Sequence, residues 1–78
     1  VKVYDVCNVT DRDLFEKCFE KLKKIEDFNP EGKVLEDVDG SLLAVFKYQG
    51  TKVVLLNDEQ IGALYIKSEM DIEHLIFN

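Results

Sequence analysis

With 78 residues the chain has room for one domain and one core, and a chain this short buries only ~60% of the surface that its unfolded form exposes. Apolar residues make up 46% of it, including five Phe and three Tyr, which excludes a disordered polar tail. Sixteen carboxylates against ten bases leave a net charge of −6, which opposes binding to nucleic acid or to anionic lipid and favours a basic or neutral partner.

The chain opens at Val1 without an initiator Met, on residues that alternate as a half-buried strand does, Val1 to Cys7. That opening is compatible with processing or with excision from a longer chain. No charged-then-apolar leader is expected here, and no run approaches the ~20 apolar residues of a membrane span, so the expected location is cytoplasmic. Asn8-Val9-Thr10 has the form of a glycosylation acceptor, but Thr10 is better used as the cap of a helix, with Asp11 and Asp13 against the positive end of its dipole. Along that helix Leu14, Phe15, Cys18, Phe19, Leu22 and Ile25 recur at three- and four-residue spacing and form one apolar stripe. Asp13 with Lys17 and Glu20 with Lys24 are expected to pair on the solvated side. Cys7 and Cys18 are set too far apart by this arrangement to bridge and read as reduced, buried small residues. Asn29-Pro30 is expected to end the helix, because the residue before a proline is pushed out of helical geometry.

From Lys33 the period changes to two. Val34 to Val38 and Ser41 to Tyr48 flank Asp39-Gly40, a two-residue hairpin signal, and Gln49-Gly50 is a second one leading into Val53 to Leu56. After Asn57-Asp58-Glu59 a further strand over Gln60 to Lys67 completes a meander. Ser68 with Asp71 resembles a capping pair before a short C-terminal helix, although Met70 to Glu73 also alternates as a strand would. The expected class is α+β: one long amphipathic helix after the first strand, packed on a mainly antiparallel sheet of four to five strands, in a single domain over residues 1–78.

A tight turn at Gln49-Gly50 sets the register, placing Tyr48 opposite Thr51, Phe46 opposite Val53 and Ala44 opposite Leu55 on one face. The other face then carries Leu43, Val45, Val54 and Leu56, joined by Val34, Val38 and either Leu64 or Ile66, with Lys47 opposing Lys52 at its wet end. One helix covers one sheet face. The second apolar face calls for the tail (Met70, Ile72, Leu75, Ile76, Phe77), a second copy or a partner. Val45, Lys47, Tyr48, Lys52, Val54 and Leu56 are therefore the candidate partner-binding residues.

Catalytic chemistry leaves no mark on the sequence, and neither an enzyme nor a cofactor is expected. His74 is the sole histidine, Cys7 and Cys18 lack zinc-type spacing, and Ser41 and Ser68 have no nucleophile signature. Asp37-Val38-Asp39-Gly40 resembles part of a calcium loop, but Leu35 and Phe46 would occupy positions that need oxygen ligands. Asp13, Glu16, Glu20 and Asp27 could array charge like a phosphate backbone, although Lys17, Lys21, Lys23 and Lys24 interrupt them. The expected function is that of a small acidic protein-binding module, an inhibitor or adaptor. The alternatives are a self-assembling subunit and an inhibitor that mimics nucleic acid.

The order of strand, long helix and meander resembles cystatin-like inhibitors in outline. Their Gln-x-Val-x-Gly loop is absent, since Gln49-Gly50-Thr51-Lys52-Val53 does not reproduce it, so the resemblance implies a fold outline and carries no site residue.

Overall fold

The computed structural model describes residues 1–76. Strand β1 (Lys2–Cys7) leads into helix α1 (Arg12–Lys23), followed by the short strands β2 (Phe28–Pro30) and β3 (Leu35–Glu36). Strands β4 (Leu42–Tyr48), β5 (Thr51–Asp58) and β6 (Ala63–Ser68) then form a meander, and helix α2 (Glu73–Ile76) follows. All pairings are antiparallel, in the order β1-β6-β5-β4-β2, with β3 also on β4. The α+β class and the helix after the first strand are as expected; the sheet has six strands because two short segments join its β4 edge.

The start of α1 is tied to the sheet. Asp11, not Thr10, is the N-cap: its backbone is extended and its carboxylate accepts from Leu14 N–H at 3.1 Å. Thr10 is drawn away, its hydroxyl donating to Glu59 at 3.0 Å, while Asp11 N–H donates to the side chain of buried Asn57 at 3.0 Å. The helix also ends earlier than Asn29-Pro30. Asp27 turns the chain at φ 70°, Phe28 N–H donates to Ile25 O at 3.1 Å, and the Phe28 ring enters the core at 6.0 Å from Phe46 and 4.8 Å from Tyr48. Pro30 thus sits on an edge strand, where a missing N–H costs the ladder little.

The turns set the faces. Gln49 and Gly50 both take positive φ (51° and 80°), as a primed two-residue hairpin turn requires, and the expected register between β4 and β5 follows. The preceding hairpin has a three-residue loop instead of the expected two. Asp37 N–H donates to Ser41 O at 2.8 Å and Gly40 N–H to Asp37 O at 3.0 Å, with Gly40 at φ 91°. Val38 is left at the loop tip, fully exposed.

Phe15 and Leu22 of α1 bury against Phe28, Leu42, Ala44, Phe46, Val53, Leu55, Leu64 and Ile66, which share one sheet face, with Leu14, Cys18, Phe19 and Ile25 packed around them. Each large side chain removed from water here contributes about 1.5–3 kcal/mol. The C-terminal segment joins the same side. Ile72 is wholly buried in this core, and Met70, Leu75 and Ile76 pack against it. Asp71, not Ser68, supports α2 by accepting from Glu73 N–H at 3.1 Å; Ser68 ends β6 and accepts from Met70 N–H at 3.2 Å.

Candidate interaction face

The face of the sheet away from α1 is built by alternation. Val45 pairs with Val54 and Leu43 with Leu56 across β4 and β5, and these four side chains stand beside one another, half-buried by their sheet neighbours. Tyr65 of β6, itself buried, opposes Leu56, and Leu35 of β3 opposes Leu43, so the apolar patch reaches the β3 edge; toward β1, Lys67 stands between Val54 and Val3, and Asp5 opposes Tyr65. Leu35 and Val3 are 61% and 54% exposed. The tail expected to close this face does not do so: Met70, Ile72, Leu75 and Ile76 lie on the helix side, and Phe77 is outside the described residues.

Charge divides the face along the strands. At one end Lys47 and Lys52 oppose each other directly, with Lys67 one row further in, its Nζ 5.7 Å from the centre of the Tyr65 ring. At the other end a cleft of about 530 Å³ is bounded by Leu35, Leu43 and Leu56 together with Asp37, Asp39 and Asp58. Asp58 accepts from the Tyr65 hydroxyl at 2.9 Å and from Gln60 and Ile61 N–H at 3.0 and 3.2 Å. The Tyr65 hydroxyl and these N–H groups hold its carboxyl below the usual range, while burial and the Asp58 contact push the Tyr65 phenol up.

Of the residues expected at a partner surface, Val45, Lys47, Lys52, Val54 and Leu56 come together here. Tyr48 does not. It alternates to the helix side and stacks on Phe28. Val34 and Val38 are also elsewhere, the first beside Phe15 and Leu42 under α1 and the second at its loop tip. Leu64 and Ile66 belong to the helix-side core, because the four-residue turn closed by Gly62 N–H to Asp58 O at 2.7 Å puts Tyr65 and Lys67 outward. Tyr65, Lys67, Asp58, Val3 and Leu35 are on this face without being among the expected partner-binding residues; the Asp58-to-Gly62 spacing is the signal that places the first three.

Three of the four acidic positions come together and the fourth does not. Asp13, Glu16 and Glu20 share a shallow depression with Lys17, Glu20 meets Lys23 at 3.5 Å in place of Lys24, and Asp27 lies beyond the end of the helix. Arg12 crosses to Glu36 at 2.8 Å, placing a cation at the same end of α1. Cys7 and Cys18 are free thiols, the second pushed up in pKa by burial, which opposes thiolate formation. Among the described residues no group of three His, Cys, Asp or Glu side chains is placed to hold a metal ion, and no helix is long and apolar enough to cross a membrane. Compared with protein-family models, with curated proteins and with solved structures, the chain gives no match.

Proposed function

We propose that this chain is a protein-binding module, an inhibitor or adaptor, that acts by contact through the sheet face opposite α1. The observation that carries the reading is the placement of Ile72, Leu75 and Ile76 beside α1, which leaves Leu43, Val45, Val54 and Leu56 with no element of the described chain across them. A sheet that buries only one face normally makes the other polar. Here the centre of the second face, over β4 and β5, is aliphatic, with Lys47 and Lys52 at one end, Asp37 and Asp58 at the other, and Lys67 and Asp5 to one side, the layout of an interface with an apolar middle and a polar rim. Asp13, Glu16 and Glu20 come together on α1, but Lys17 among them and Lys23 on Glu20 interrupt the negative charge, which gives the nucleic-acid-mimic reading no comparable support.

The test replaces the opposed pair Val45 and Val54 by Glu and Lys, which keeps a favourable cross-strand contact while removing the apolar centre. Wild type, Val45→Glu/Val54→Lys and a helix-face control, Glu16→Gln/Glu20→Gln, are immobilised and compared for a stoichiometric protein partner. The partner is expected to stay with wild type and control and to be lost from the sheet variant at unchanged circular dichroism. Retention by the folded sheet variant would overturn the reading.

A further inference from the structure

We propose that the occupant of this face is a second copy of the chain, docked face to face about a two-fold axis that runs across the strands. The proposal rests on taking the sheet face as the contact surface and adds the identity of what meets it. Four rows of side chains cross the face: Lys47 with Lys52, Val45 with Val54, Leu43 with Leu56 and, one step past the last pair of the β4–β5 ladder, Ser41 and Asp37 lining one cleft with Asp58. The rows are evenly spaced, and the first and last carry opposite charge. A two-fold axis through the midpoint, between the valine and leucine rows, maps the first row onto the last and the second onto the third.

In that arrangement Lys52 of one copy stands over Asp58 of the other, Lys47 over Ser41 beside Asp37, and the valine pair over the leucine pair. The other in-plane two-fold axis that keeps the strands of the two copies aligned, along the strands, would set lysines on lysines and aspartates on aspartates, which charge repulsion disfavours. The like-charge pair Lys47 and Lys52, unfavourable within one sheet, thereby gains opposite charges across the interface. Glu69, beside Lys52 and Lys67 at one corner, and Glu31, whose N–H donates to Val45 O at one edge, weaken the gradient without reversing it. Repulsion between two copies of net charge −6 is screened beyond about 8 Å at physiological ionic strength, whereas the facing rows are in contact.

Size sets the strength. The four rows span about 20 Å along the strands, and five strand positions span about 20 Å across them, so the two faces together bury roughly 1,000 Å² once surface relief is counted. That lies at the low end of specific interfaces and corresponds to a dimer that dissociates on dilution.

Sedimentation equilibrium of the chain at 0.15 M salt, from about 1 µM to about 1 mM, reads the mass directly. Wild type is expected to rise from 9.0 kDa toward twice that value. Lys47→Glu/Lys52→Glu makes both ends acidic, and Asp5→Lys/Asp37→Lys/Asp39→Lys, with Asp5 opposing Tyr65 across β1 and β6, makes the acidic end basic on balance while leaving Asp58 in its turn. Each variant alone is expected to dimerise at least about tenfold more weakly than wild type, and their equimolar mixture to recover the dimer, since each then offers what the other lacks. A wild-type monomer at about 1 mM, wild-type dimerisation by the folded variants, or a mixture that stays monomeric would each overturn the proposal. A monomeric wild type that still loses a captured partner on Val45→Glu/Val54→Lys removes only the second copy as occupant. If neither dimer nor partner responds to that double substitution, the contact face itself falls.

Discussion

The Tyr4 hydroxyl donates to the Asp71 carboxylate at 3.0 Å and accepts from Ile72 N–H at 3.0 Å, so the first strand holds the segment that follows the last one. This clamp is what turns the tail toward α1. With Asp71 fixed at the edge of β1, Ile72 drops into the core and Leu75 and Ile76 line a cleft with Val6, Cys18 and Leu22. The opposite sheet face stays bare as a consequence.

Tyr4→Phe removes both bonds and leaves the partly buried Ile72 N–H without its acceptor, a loss of about 1–2 kcal/mol. For a domain of this size that is a fall in Tm of about 4–16 °C. Hydrogen exchange should accelerate mainly over residues 70–76, with the β4 and β5 amides protected as before relative to global stability. Uniform acceleration across the sheet would show that the clamp does not act locally.

Acid should destabilise the fold through two carboxylates. Asp58 is held below the ordinary range by the Tyr65 hydroxyl and the Ile61 and Gln60 N–H groups, and Asp71 by Glu73 N–H and the Tyr4 hydroxyl. A carboxylate whose folded pKa is depressed binds protons more readily in the unfolded chain. Its stabilisation is complete above the unfolded value of about 4 and is lost as pH falls through the folded one. Thermal melts between pH 7 and pH 2 should therefore show Tm falling below about pH 4, and Asp58→Asn should flatten that fall while lowering Tm at pH 7. An acid limb identical in wild type and Asp58→Asn would remove Asp58 from the account.

At the β4–β5 turn Gln49 holds φ at 51°, a region its side chain disfavours and Asn tolerates. Gln49→Asn is expected to raise stability by about 0.5–1 kcal/mol in urea titration without a change in m-value, and Gly50→Ala, at φ 80°, to lower it by about 1–2 kcal/mol. Equal stability of the three proteins would mean that the turn is not the primed hairpin turn described.

The local elements were legible because their causes are local. Three- and four-residue spacing from Leu14 to Ile25 marks the helix face, and alternation from Leu42 to Leu56 around Gln49-Gly50 marks the two strands and their register, each within a few residues of chain. The central four aliphatic residues of the candidate face and its lysine pair follow from that register alone. Competition over short range was harder to read: Asp11 and Thr10 are both good caps, and Glu59, 49 positions away from Thr10, decided between them. Phe28 became core, with β2 following it, because the rings of Phe46 and Tyr48 were there to receive it.

Amino-acid order by itself therefore determined that this protein has one amphipathic helix, a twisted antiparallel meander and a second sheet face with an aliphatic centre, since backbone period and turn geometry act residue by residue. Only the tertiary structure decided which side the tail covers and which charges line up across the strands. Those depend on contacts such as Tyr4 with Asp71, 67 residues apart, and on the Asp58-to-Gly62 turn that aims Tyr65 and Lys67 outward, where the free energy belongs to the packed whole and to no single segment.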